Sequence, residues 1–191
     1  FQPNVFLSSV NALARDGSNL YVGGGFVLSP SHGGSIDKTT GMASMGSYSK
    51  GSFNSTVNAV VSDGSGGWYV GGVFTSYRGE NVSRLVHIYA DGSLNPNFKP
   101  NPNGDVTSLY LDGSTLYVGG DFSILAGVTR QGAGSINTVL GIANAFNAKT
   151  SGVLAIGKSG SNIIIGGSFV GVNATSAGSR GWGLDKTSGE P

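Results

Sequence analysis

The stretch Gly152-Val153-Leu154-Ala155-Ile156-Gly157-Lys158-Ser159 matches, letter for letter, the glycine-rich pattern whose backbone N–H groups cradle nucleotide phosphates. That chemistry needs an open loop leading into a helix. Here the four middle residues are apolar and Ile163-Ile164-Ile165 follows, so both flanks read as strand. The match is a by-product of strand composition and predicts no nucleotide site. His32, with Ser29, Ser31 and Asp37 close in sequence, has the residue types of a base, a nucleophile and an orienting carboxylate. As a loop histidine it reads as solvated. His87 reads as a half-buried sheet residue, and two histidines without a cysteine predict no metal centre. Asp16, Asp63, Asp91 and Asp112 stand in Asp-Gly-Ser turns, where an Asp side chain caps its own turn. Their spacing is not that of a calcium loop. Glu80, in Tyr77-Arg78-Gly79-Glu80-Asn81, has no turn duty but also no second acid for glycoside chemistry. The expectation is no catalytic residue, no cofactor and no metal.

Composition narrows the class. The chain has 191 residues, 34 of them glycine, and only 11% are charged, with a net charge of +1. That charge is too small for the basic footprint of a nucleic-acid binder, so no nucleic-acid partner is expected. No apolar run reaches the eighteen or so residues of a membrane helix, so no membrane insertion is expected. Cysteine is absent, which removes any disulfide framework. The 38% of hydrophobic residues suffices for a core. Gly, Ser, Asn, Thr and Val dominate, the vocabulary of short strands and turns. The low charge and the Gly/Ser/Asn/Thr content point to an extracellular or cell-surface location. The opening Phe1-Gln2-Pro3-Asn4 reads as a processed or excised start.

A repeat organises the whole chain. Val10-Asn11-Ala12-Leu13, Asp16-Gly17-Ser18 and Leu20-Tyr21-Val22-Gly23-Gly24 make the first copy. Val57-Asn58-Ala59-Val60, Asp63-Gly64-Ser65 and Trp68-Tyr69-Val70-Gly71-Gly72 make the second. Val106-Thr107-Ser108-Leu109, Asp112-Gly113-Ser114 and Leu116-Tyr117-Val118-Gly119-Gly120 make the third. Val153-Leu154-Ala155-Ile156, Ser159-Gly160-Ser161 and Ile163-Ile164-Ile165-Gly166-Gly167 make the fourth. The period is about 48 residues, within the range of repeat architectures. Each Asp-Gly-Ser between apolar runs predicts a hairpin, and each Gly-Gly a close backbone approach. A third strand is expected around Ile36, Ile88, Ile136 and Leu184, and a fourth around Phe53, Phe98 and Phe146, with Phe1 in the same column. Phe26, Phe74, Phe122 and Phe169 recur as core positions.

Four four-stranded antiparallel units predict an all-β propeller, with residues 1–9 completing the last blade. The single domain would run over 1–191, with repeats at 10–56, 57–105, 106–152 and 153–191 plus 1–9. An excerpt of a larger ring is the competing reading. Runs ending in Gly-Gly-x-Phe, and the segment Arg84-Leu85-Val86-His87-Ile88-Tyr89-Ala90-Asp91-Gly92-Ser93-Leu94-Asn95-Pro96-Asn97-Phe98, resemble the delta-type, kelch-like repeat of bacterial surface and secreted proteins. Kelch repeats usually carry Trp near the fourth strand, where this chain has Phe. The resemblance implies a surface-exposed or secreted binding or structural module and no catalytic residues.

In such a fold the short turns lie on one face and the long, unlike loops on the other, where individual binding chemistry can reside. The candidate ligand residues there are Ser31, His32, Tyr77, Arg78, Glu80, Asn81, Arg130, Gln131, Asn173 and Arg180. The expected function is non-catalytic recognition or adhesion through protein or glycan partners. The alternatives are a self-assembling structural subunit, hence a homo-oligomer, and a carbohydrate-active enzyme built on Glu80. Asn54, Asn81 and Asn173 stand in glycosylation triplets, which act only in a eukaryotic secretory setting.

Overall fold

Each predicted turn closes a hairpin. In the computed structural model, which describes residues 9–26, 32–41, 53–173 and 180–191, β1 (Val10–Asp16) pairs with β2 (Asn19–Gly24), and β2 with β3 (Gly33–Asp37). The second repeat gives β4 (Val57–Ser62) and β5 (Trp68–Gly72), a two-residue hairpin of β6 (Ser76–Tyr77) and β7 (Glu80–Asn81), and β8 (Leu85–Ile88). The third gives β9 (Asp105–Asp112) and β10 (Thr115–Asp121), a second small hairpin of β11 (Ile124–Leu125) and β12 (Val128–Thr129), then β13 (Ala133–Asn137) and β14 (Ala143–Asn147). The fourth gives β15 (Val153–Ser159), β16 (Asn162–Gly167) and β17 (Gly181–Asp185). Among the described residues every regular element is a strand, so the all-β expectation holds.

The propeller does not. The described strands form six separate antiparallel sheets of two to four strands, and none closes on itself. Among the described residues only the third repeat has a four-stranded sheet, in the order β14-β13-β10-β9. Proline explains one missing fourth strand. Phe98 sits among Pro96, Pro100 and Pro102, whose nitrogens cannot donate to a ladder. That stretch contributes only an isolated bridge between Ile88 and Leu94. Ala143–Asn147 contains no proline, and its ladder with β13 forms. Phe53 bridges Tyr77 of the next repeat rather than its own third strand. Residues 1–8, expected to complete the last blade, lie outside the described residues.

The contacts divide the chain into two compact units, Phe1–Pro96 and Asn97–Pro191. Each holds two repeats. In the first unit Tyr21 of one repeat packs in a single buried cluster with Phe53, Val57, Trp68, Val70, Phe74 and Ile88. In the second, Tyr117 packs with Phe146, Val153, Ile163, Ile165 and Leu184.

The Gly-Gly pairs have two distinct jobs. At the second glycine, a Cβ would run into a carbonyl oxygen on or beside the first strand: Ser9 for Gly24, Thr56 for Gly72, Asp105 for Gly120 and Gly152 for Gly167. All four hairpins carry a register shift there, so the strand bulges toward its partner. The first glycine serves the neighbouring repeat. A Cβ on Gly23 would strike the Val57 methyl, and one on Gly119 would come within 2.8 Å of the Val153 methyl. The glycine is a notch and the following repeat's valine is the knob.

Candidate functional site

The long loops hold the candidate residues, but most of these side chains are already engaged by the main chain around them. His32 Nδ1 lies 2.9 Å from the Phe53 carbonyl oxygen. Tyr77 is buried, its OH donates to the Gly92 carbonyl at 2.9 Å, and Arg78 Nη1 donates to the same oxygen at 2.8 Å. The Arg78 guanidinium also lies 5.6 Å from the Tyr77 ring centre. Burial pushes the Tyr77 hydroxyl above its ordinary pKa of 10.0. Tyr77 and Arg78 are thus brought together, as a clamp on the turn after β8. Glu80 and Asn81 are exposed partners of Tyr77 and Ser76 in the small hairpin.

Arg130 donates from Nε and Nη2 to the Asn144 carbonyl, at 3.2 and 2.5 Å, and from Nη1 to Thr129. This fork fastens the loop after β12 to β14. Asn173 Nδ2 donates to the Gly189 carbonyl at 2.8 Å. Arg180 is exposed, and its carbonyl accepts from the Gly167 N–H at 3.0 Å. Ser31 lies outside the described residues.

Of the candidates, Gln131 lines a cleft. Within the second unit it borders an open depression of about 390 Å³ with Lys149, Thr150, Ser151, Ser168, Phe169, Val170 and Gly171. A second depression of about 220 Å³ shares Gln131, Thr150 and Ser151 with it and adds Asn103, Asp121, Phe122 and Ser123. Lys149 there reaches Glu190 at 3.3 Å, across the surface. Asn103 Oδ1 accepts from the Ser123 and Ile124 N–H groups, both at 2.9 Å. Hydroxyls and amides share the lining with Lys149, Asp121 and the apolar Phe122, Phe169 and Val170.

Sequence reasoning missed a buried polar cluster in the second repeat. His87 Nε2 lies 2.9 Å from Asp63 Oδ2, and His87 Nδ1 lies 3.2 Å from Asn95 Nδ2. An amide nitrogen only donates, so Nδ1 accepts and the Nε2–H donates to Asp63. Tyr69 stacks on the imidazole at 4.3 Å and Tyr89 meets it edge-on at 5.1 Å. Asp63 also accepts from the Ser65 and Gly67 N–H groups, at 2.7 and 2.9 Å. The signal was present. The second repeat spaces Asp63 from Trp68 by one residue more than Asp16 from Leu20, the extra residue being a glycine. Its longer turn folds the carboxylate back onto β8.

The turn carboxylates respond to these bonds. At Asp63 burial works to raise the pKa, but the hydrogen bonds from His87, Ser65 and Gly67 outweigh it and hold the carboxyl below 3.8. Asp37 is lowered by the Thr40 and Thr39 N–H groups and the Thr40 hydroxyl. Asp185 is lowered by the Ser188 and Thr187 N–H groups and the Ser188 hydroxyl. Asp91 is lowered by the Ser93 hydroxyl and N–H, and Asp112 by Lys158. A carboxyl whose folded pKa is depressed stabilises the fold above its unfolded value, and that contribution disappears as pH falls through the folded value. Stability should therefore be level above pH 5 or so and fall progressively below about pH 4. Urea midpoints across that range are the check, and Asp63→Asn should flatten part of the slope. An unchanged midpoint down to about pH 2 would contradict it.

Fold and cleft define an all-β repeat protein of hairpin-led sheets with a shallow polar depression. The comparisons with known proteins bear on the fold and not on the depression. No family model matches the chain, and no curated protein matches it. Among solved structures, the computationally designed Ika4 protein is similar at 13% identity and a TM-score of 0.59, over 88% of this chain and 92% of that one. The designed Ika8 protein is similar at 12% identity and a TM-score of 0.55, over 87% of this chain but 47% of that one. The extracellular domain of BT4673 from B. thetaiotaomicron is similar at 17% identity and a TM-score of 0.56, over 87% of this chain and 21% of that one. This chain therefore spans about half of Ika8 and about a fifth of BT4673. At such identities the likeness shows the fold alone.

These findings correct the remaining expectations. The delta-type, kelch-like resemblance finds no family match, and its architecture is not what the described strands form. The expected adhesion or recognition of protein or glycan rested on that resemblance and falls with it. The designed proteins point to no ligand.

Proposed function

We propose that the chain is a non-enzymatic structural repeat module that works outside the cell, holding loops and neighbouring repeats in fixed geometry. The single observation that carries this reading is where the polar side chains go. Asp37, Asp63, Asp91 and Asp185 accept N–H groups of their own turns, and Arg130 and Arg78 grip carbonyl oxygens. Other polar groups tie one repeat to the next within a unit. Asp16 accepts from the Gly66 N–H at 2.7 Å, and Lys158 meets Asp112 at 2.7 Å. The low charge, the Gly/Ser/Asn/Thr content and the likeness in fold to an extracellular domain support the location.

The test pairs stability with turnover. Arg130→Ala should release the loop after β12 and lower stability by about 1.5–3 kcal/mol, the range for hydrogen bonds to a charged group. The wild-type chain should turn over no member of a panel of glycoside, ester and peptide substrates. Hydrolysis abolished by Glu80→Gln or Ser168→Ala would overturn the reading.

A further inference from the structure

The first and last sheets leave apolar positions open that the interior repeats close. In the first unit Val57 is 0% exposed over the Gly23 notch, and Tyr21, 3% exposed, lies 5.4 Å from Trp68. In the second unit Val153 is 0% exposed over Gly119, and Tyr117, 3% exposed, donates its OH to the Lys186 carbonyl. Val60 and Ile156 lie half-buried beside these contacts. The same columns in the first repeat are Val10 and Leu13, at 42% and 61% exposed. The Tyr21 and Tyr117 column in the last repeat is Ile164, at 39%. Its register partners are Gly157 and Gly183. Among the described residues nothing lies within 4 Å of where a Gly157 Cβ would stand, so the sheet is open beside Ile164.

We propose that these two faces are the halves of one contact, and that a second copy of this chain completes it. Ile164 of one copy packs against Val10 and Leu13 of the next. The occupant follows from continuity with an interface the chain already contains twice, once in each unit. In both instances the leading valine of one repeat closes over the second strand of the repeat before it. Val10 and Leu13 are the unused knobs of that interface, and its unused seat is Gly166, where an added Cβ would meet the Arg180 carbonyl oxygen only at 3.7 Å, with the Gly157-Ile164-Gly183 row beside it. All of these side chains are apolar or absent. Knobs and seat are different surfaces, so the contact is heterologous: each dimer keeps one knob face and one seat open.

Sedimentation velocity on the intact chain, Leu13→Lys, Ile164→Lys and their equimolar mixture tests this. The range should run from about 1 to about 100 µM, covering the weak end of standard-sized interfaces. The wild-type mean mass should rise with concentration from 19.3 kDa. Each variant alone should stay at that mass, a loss of association of at least about tenfold. The mixture should recover a dimer and stop there, because Leu13→Lys keeps its seat and Ile164→Lys keeps its knobs. A wild-type chain of constant mass would overturn the proposal. So would variants that associate as the wild type does, or a mixture that does not recover. Circular dichroism must show the wild-type spectrum in each variant, and Leu13→Ser with Ile164→Ser replaces any Lys variant that fails it. The readout is mass and not turnover, so failure here leaves the structural-module reading standing.

Discussion

Phe146→Ala should lower the unfolding free energy by about 3–5 kcal/mol, the range for deleting a buried aromatic ring. Phe146 is fully buried, and Tyr117 meets its ring edge-on at 5.2 Å. Both belong to the cluster formed by Val153, Ile163, Ile165 and Leu184 of the following repeat. The ring is thus the point where β14 fastens the third repeat to the fourth. Removing it takes away apolar burial, leaves a cavity and loosens the one fourth strand among the described residues. Urea unfolding of the variant against the wild type measures the loss. A loss below about 1 kcal/mol would show that the ring is not buried as described.

Gly120→Ala should cost about 2–3 kcal/mol, because a side chain forced into a close-packed place must move its surroundings. The added carbon would overlap the Asp105 carbonyl oxygen and come within 3.1 Å of the Phe122 ring. The obstacle is backbone, which cannot rotate away as a flexible side chain can. The bulge in the β9 and β10 ladder would have to open. The contrasting substitution is Gly157→Ala, which meets nothing within 4 Å and should be nearly neutral. Urea midpoints of the two variants compare them directly. Equal effects would mean that the glycines mark composition and not close approach.

How far the residues foretell the structure depends on the range of the interaction. The hairpins were legible because Asp-Gly-Ser between apolar runs is a local signal, and Gly17, Gly113 and Gly160 take the left-handed φ it requires. The Gly-Gly pairs were legible as close approach, although the division between a strand's own bulge and the neighbour's valine was not. The expected fourth strand forms around Phe146 and fails around Phe98. A recurring Phe marks a buried column, but burial does not require a ladder, and the prolines around Phe98 forbid one. The two small hairpins were taken as loop because two-residue strands leave almost no periodicity to read. The ligand residues were chosen by loop length and polarity, and those criteria also select side chains that hold loops together. Tyr77, Arg78, Arg130 and Asn173 are such side chains. The His87 and Asp63 pair needed tertiary information, since β8 lies beside the β4 and β5 turn only once the sheet has formed.

The central claim is that repeat locks onto repeat by a valine closing over a glycine, with the polar loops serving that geometry. Nuclear Overhauser contacts from the Val57 and Val153 methyl groups test it most directly. The account predicts strong contacts to the Gly23 and Gly119 α-protons respectively, both lost when the valine is replaced by alanine. Methyl groups that show no contact to either glycine, in a chain whose hairpins are intact, would contradict it.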